Sequence, residues 1–251
     1  MKNVPVWLIL ALFCLSSSIS AKELLTIETE EADIDVQVFP ANGNVLLLGF
    51  PIDEGKSSSE EKIASSLSED GIEVWMPDIL SALMLPNVRS SLNKIPDELL
   101  ITIIKEAVKR DKKVFLIATG PDADIVLRSA KAWEETEDVP LAGAILMFPR
   151  LFKSTPEPGK VPEYVDSVGT TTLPIMLLEG GRTPNRWGIN TLSKELEKNG
   201  SNVTAKIIPS IRGKFFKRDD SNRSEDVVSS QMAGLIKVSL YYLSGEEAYE
   251  E

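Results

Sequence analysis

Histidine does not occur in this sequence of 251 residues. Its absence removes the commonest general base and the commonest metal ligand. There is one cysteine, Cys14, and it lies in an apolar stretch near the N-terminus. Cleavage of that stretch would leave neither thiol nor disulfide. Little then remains from which to build a zinc site, and a disulfide-stapled module is not expected. Basic residues are outnumbered 27 to 38, which gives a net charge of −11. Such a surface repels phosphate backbones and anionic membranes alike. Nucleic acid is therefore not an expected partner, and no metal or other cofactor is expected.

The apolar stretch itself, Val6–Leu15 (VWLILALFCL), follows Lys2 and precedes the small residues Ser16–Ala21. It is about half the roughly 20 residues that a membrane span needs. This is the pattern of a secretory signal peptide over residues 1–21. Phe13 before Cys14 is a poor match to a lipoprotein attachment box. The expectation is an exported protein, periplasmic or secreted, with one domain over residues 22–251. Its 43% hydrophobic content is enough for one ordinary core. Asn-x-Ser/Thr triplets at Asn199, Asn202 and Asn222 would matter only on a eukaryotic secretory route.

What is present is a set of short, nearly unbroken apolar runs. Val45–Gly49, Val114–Ala118, Gly143–Phe148 and Ile175–Leu178 read as strands covered on both faces, as in a parallel sheet. Glu73–Met76 and, nearer an edge, Val203–Ile208 are further strands. Ile34–Phe39 alternates, as a half-exposed antiparallel strand does. Helical stripes fall between the runs. One joins Leu99, Ile103, Ile104 and Ala107; another joins Ile125, Val126, Ser129 and Trp133. Ser57–Leu67 is a weaker helix. Ile189, Leu192 and Leu196 form a stripe, and Val228, Met232, Leu235, Ile236 and Leu243 form the last, with Ser224 as the expected cap. Strands alternating with helices predict an α/β fold with a mostly parallel central sheet and helices on both faces. Leu83–Pro96 and the proline-rich Arg150–Thr172 fit no element; the latter reads either as a lid or as a surface excursion.

The order of elements, with strand, turn and helix over Val114–Ala130, resembles the α/β-hydrolase superfamily over about Ile34–Leu243. That family presents a serine on a G-x-S-x-G elbow, with an acid and a histidine after later strands. The resemblance puts the elbow at Ala118–Asp122 (ATGPD). Gly120 then stands at the serine position. Pro121 stands where a backbone N–H would hold an oxyanion, and proline has none. The acid position falls near Thr183 and the histidine position near Lys214. Gly49–Phe50 resembles the other half of an oxyanion hole. These coordinated replacements imply a hydrolase fold that has lost its catalysis. The chain also resembles the hydrolase-like N-terminal region of some bacterial exported thioredoxin-domain proteins, through Val74–Asp78 (VWMPD), Thr155–Gly159 (TPEPG) and Ile211–Phe216 (IRGKFF). With no C-x-x-C here, no redox chemistry carries over.

Rival chemistries remain. A shifted elbow would make Asp122 a carboxylate nucleophile, as in the dehalogenases and epoxide hydrolases of that superfamily; otherwise Asp122 caps the following helix. Lys214 could serve as a base if buried, or could belong to a solvated patch with Arg212, Lys217 and Arg218. Gly49–Ser57 (GFPIDEGKS) mimics a phosphate-binding loop, but five residues separate its glycines, Pro51 removes an amide, and Asp53 and Glu54 repel phosphate. Asp219, Asp220, Asn222, Glu225 and Asp226 lack the ligand spacing of a calcium loop. The expected function is non-catalytic binding of a small anionic ligand or an envelope protein. The expected surface is the crevice above the carboxyl ends of the strands, lined by Gly49, Phe50, Gly120, Pro121, Arg182, Thr183, Arg212 and Lys214. The alternative is a weak, esterase-like hydrolase using Asp122 or Lys214.

Overall fold

Each buried apolar run becomes a strand, and together they form one sheet. The computed structural model describes residues 22–51, 58–157, 160 and 162–245. The signal-peptide reading (1–21) and most of the loop resembling a phosphate-binding motif (52–57) lie outside the described residues. The strands are β1 (Glu23–Glu28), β2 (Asp33–Phe39), β3 (Val45–Gly49), β4 (Ile72–Pro77), β5 (Lys113–Thr119), β6 (Gly143–Met147), β7 (Ile175–Gly180) and β8 (Val203–Ile208). Their order is β1-β2-β4-β3-β5-β6-β7-β8. β1–β2 and β2–β4 pair antiparallel, and every other pair is parallel.

The period of two sorts even continuous apolar runs onto two faces. Leu46, Leu48, Leu116, Leu146, Ile175 and Leu177 face one core. It is covered by helices α3 (Asp97–Val108), α4 (Ala123–Thr136) and α5 (Ile189–Leu196), which follow α1 (Ser58–Glu69) and the short α2 (Ile79–Ala82). Leu47, Phe115, Ile117, Ile145, Met176 and Leu178 face the other core. There α1 and α7 (Met232–Leu243) supply Ala64, Leu67, Met232, Ile236 and Leu240, while α6 (Arg223–Ser230) precedes α7. β2 exposes Asp33 and Asp35 and buries Ile34 and Val36, as its alternation predicts.

Several expectations are corrected. β1 has no counterpart in the sequence reading, because Glu23, Leu24, Thr26 and Glu28 leave most of it exposed. Leu83–Pro96 contains a 3-10 turn over Arg89–Lys94. The final stripe is two helices, broken at Gln231. The cap of α6 is Asn222, not Ser224. Asn222 has extended backbone angles (φ −101°, ψ 170°), and its side chain accepts from the Ser224 and Glu225 amides. The Glu225 carboxylate in turn accepts from the Asn222 N–H at 3.1 Å, closing a capping box.

The proline-rich insertion folds back on itself. Phe152 and Tyr164 form an isolated bridge and stack at 5.3 Å. Arg89 Nη2 donates to the Phe152 carbonyl at 2.6 Å and to that of Arg150 at 3.2 Å. Ser167 Oγ donates to Asp124 Oδ1 at 2.6 Å, and Glu134 accepts from Thr171 and Thr172. The described residues of the insertion form a strap bound to α4; Pro158 and Gly159 of the TPEPG segment lie outside the described residues.

Candidate functional site

The carboxyl end of β5 is where the sheet offers a reactive apex. Thr119 ends the strand, Gly120–Asp122 make one 3-10 turn, and α4 starts at Ala123. Gly120 has φ +70°, a left-handed conformation that L side chains rarely adopt. A Cβ built there would stand 2.5 Å from Lys214 Cε, 3.1 Å from Lys214 Nζ and 3.9 Å from Arg150 Nε. The space a nucleophilic side chain would occupy is thus taken by the lysine at the histidine position. Lys214 is half-buried and itself left-handed (φ 53°, ψ 28°). In the chain it follows β8 and directly precedes Phe215 and Phe216, which pack with Phe148.

The two amides that the resemblance assigns to an oxyanion hole are both missing as donors. Pro121 has no N–H. The Phe50 N–H donates to the Ile117 carbonyl at 3.1 Å, which continues the sheet instead of facing a substrate. Phe50 is itself buried.

Asp122 is buried, and its side chain makes no capping hydrogen bond to α4. That corrects the expected cap. Its angles (φ −63°, ψ −15°) are already helical, so its side chain does not fold back onto the helix amides as an extended N-cap residue does. Thr183 Oγ1 donates to Glu179 Oε1 and accompanies the Gly180 carbonyl, each at 2.8 Å. Glu179 is a buried carboxyl at the end of β7. Burial pushes its pKa up, against the lowering effects of the Gly180 N–H and the side chains of Thr183 and Asn185.

Arg212 is committed to a structural clamp. Its Nε and Nη2 meet the two oxygens of Glu225 at 2.7 and 2.6 Å, and its backbone N–H meets Oε1 at 2.9 Å. Its remaining contacts go to the side chain and carbonyl of Asp220. Hydrogen bonds from Arg212 hold the Glu225 pKa down to about 2. Arg182 is exposed, and among the described residues its guanidinium has no partner. The expected crevice is therefore divided. Gly120, Lys214 and Arg150 meet at the apex, while Arg212 is turned to the start of α6. Arg150 was missed because the segment after β6 fitted no element. Its backbone N–H bonds the Gly120 carbonyl at 3.0 Å, which fixes it beside the apex.

Two cavities flank the turn. An open cleft of about 740 Å³ runs beyond Pro121, between α4, the 89–94 turn and the strap. Two of its cations are paired locally: Arg128 with Asp97 at 2.5 Å and Lys153 with Asp166 at 2.6 Å. On the other side, a pocket of about 70 Å³ lies below Gly49, Phe50 and Thr119, walled by α1 and α7. Among the described residues, no group of three or more His, Cys, Asp or Glu side chains could hold a metal ion.

No protein-family model matches the sequence, and no curated protein matches it. Solved structures are similar in fold. One is an esterase of the fungus Rhizomucor miehei, with TM-score 0.64 and 10% identity over 90% of this chain and 85% of that one. Another is a dienelactone hydrolase from Anabaena variabilis, with TM-score 0.60 and 13% identity over 87% of this chain and 97% of that one. A third is Est1E from Butyrivibrio proteoclasticus, with TM-score 0.57 and 11% identity over 86% of this chain and 98% of that one. The strand order, the strand–turn–helix at Gly120 and these likenesses together give the chain the fold of the α/β-hydrolase superfamily.

Proposed function

We propose that this is a non-catalytic hydrolase-fold protein of the cell envelope that holds a small anionic ligand above Gly120. The observation that carries the reading is the lysine side chain standing where a nucleophile would project from a left-handed glycine. A glycine cannot attack, Pro121 cannot donate, and the Phe50 amide is already bonded. Lys214 and Arg150 converge at the apex beside the buried Asp122 of the same turn, at the N-terminal end of α4, whose dipole favours an anion. The envelope location rests on the signal-peptide pattern of residues 1–21. Arg212 takes no part in the ligand site, because Glu225 and Asp220 occupy its donors.

The test is a thermal-shift screen of carboxylates and phosphates at pH 7, with Lys214→Ala and Arg150→Ala as controls. A ligand at 100 times its Kd should stabilise by about 2.7 kcal/mol. Loss of that shift in both variants supports the site, and an unchanged shift removes it. A second reading, a weak esterase-like hydrolase using Asp122 or Lys214, draws on the esterases and dienelactone hydrolases among the structural neighbours. Short-chain aryl-ester turnover abolished by Asp122→Asn or Lys214→Ala would favour it over the first.

A further inference from the structure

The sheet ends in two open edges, and they differ in charge. Among the described residues, no strand pairs with the outer side of β1 or of β8. β1 carries Glu23 and Glu28, and Glu30 and Glu31 follow it. Two copies meeting there would crowd carboxylates together, and an edge guarded by like charge resists pairing. β8 (VTAKII) has one charged residue, Lys206, and no proline. Lys206 is a weak guard, because its Nζ lies over the Tyr242 ring at 5.5 Å, on α7.

The ladder to β7 fixes which backbone groups of β8 face outwards. The Asn202 and Ile208 carbonyls accept from the Ile175 and Gly181 N–H groups, each at 2.8 Å. Backbone groups along a strand alternate in direction, so those of Thr204 and Lys206 also face β7. Val203, Ala205 and Ile207 therefore turn their N–H and C=O groups to the open side. Apolar side chains flank that side on both faces of the sheet. Val203 and Ala205 pack on the core that α5 covers, and Ile208 on the core that α7 covers. Ile207, on the α5 face, is about half exposed; so are Val238 and Tyr242, one turn apart on α7. The contact of Lys206 with Tyr242 sets that helix face beside the edge.

We infer that β8 pairs antiparallel with β8 of a second copy of this chain, about a two-fold axis at Ala205, so that two sheets become one. In that register Val203 stands opposite Ile207 of the other copy, Ala205 opposite Ala205, and Thr204 opposite Lys206. The outward groups then satisfy one another in about six main-chain hydrogen bonds. The Val–Ile pairs are β-branched on β-branched, and no charge meets its like across the ladder. Other registers are poorer. An axis at Ile207 sets Ala205 against Pro209, which has no N–H. An axis at Val203 sets Ile207 against Asn199, which lies outside the strand. The contact uses the same patch on both copies and so closes at two. It is independent of the anion-binding reading above.

Sedimentation of the whole protein from about 1 µM to about 500 µM, with amide hydrogen exchange at both ends of that range, tests this. A monomer–dimer equilibrium is expected. On dilution the Val203, Ala205 and Ile207 amides should exchange about tenfold faster or more, while those of Thr204, Lys206 and Ile208, bonded to β7, stay protected. Ala205→Pro removes an outward donor without costing a bond to β7, and should weaken dimerisation about tenfold or more. Ile207→Lys, which replaces the apolar partner of Val203, should act in the same direction and keeps the test decisive if the proline variant does not fold. Leu24→Lys, on the β1 edge, should leave the equilibrium unchanged. A monomer at every concentration would overturn the inference. So would a dimer that Ala205→Pro and Ile207→Lys both leave intact. Slow exchange of the outward amides in the monomer would mean that the chain covers its own edge, and would overturn it too. Assemblies that grow beyond two copies would point to a head-to-tail contact and would likewise overturn it.

Discussion

Gly120 is tolerable at the apex only because it has no side chain. Its φ of +70° and the 2.5 Å separation between a built Cβ and Lys214 Cε act together. Gly120→Ser should cost about 1–3 kcal/mol from the backbone conformation alone, with displacement of Lys214 added. It should not create an esterase, because neither of the two amides at the oxyanion position is available to a substrate. Urea unfolding and an aryl-ester assay check the two halves. Glu179 and Glu225 make opposite pH predictions. Burial raises the Glu179 pKa, so the folded state binds that proton more tightly than the unfolded chain does. Its contribution is fully present below the ordinary value of 4.5 and is lost as pH rises through the raised one. Glu179→Gln should remove that decline. Glu225 is held down to about 2, chiefly by Arg212. Its contribution is present above 4.5 and is lost as pH falls towards 2. Arg212→Ala should lower the melting temperature at neutral pH and flatten this acid limb. Melting curves from pH 2 to 8 measure both effects.

Among the elements, α6 is eight residues long and has only one buried residue, Glu225. Such a helix depends on its termini. Asn222→Ala removes the acceptor for two amides and should cost about 1 kcal/mol. Ser224→Ala, at the position the sequence suggested as the cap, should cost much less. The strap over residues 150–172 depends on a few polar anchors. Arg89→Ala frees the carbonyls of Arg150 and Phe152, and Glu134→Ala frees Thr171 and Thr172. Either change should speed proteolytic cleavage within the strap while the sheet stays intact, as limited proteolysis with mass spectrometry would show. The segment fits no element in the sequence because it is held by contacts to α4 and the 89–94 turn, not by a period of its own.

Across the molecule, the cations at the apex sit in a chain of net charge −11. The surrounding field opposes an approaching anion, and salt screens that field. Raising ionic strength from low values should therefore speed association of a carboxylate measurably, whereas a site in a basic field would slow. Stopped-flow binding at two salt concentrations distinguishes these outcomes. The fold as a whole was legible. Seven of the eight strands announced themselves as buried runs or alternation, and their interleaving with helical stripes required a parallel sheet. β1 was not legible because an exposed edge strand needs little apolar sequence.

The amino-acid sequence by itself determined the α/β architecture, the glycine and proline at the turn, and the want of any imidazole. These are properties of residue type and period, which need no knowledge of distant neighbours. Only the tertiary structure decided which charges serve the apex. Arg212 and Lys214 are two residues apart, yet Glu225 claims one while the other lies over Gly120. Arg150 reaches the same point from the segment after β6. The physical reason is that a side chain's role depends on the partner nearest to it in space, and pairing across 13 to 94 positions of chain leaves no local mark.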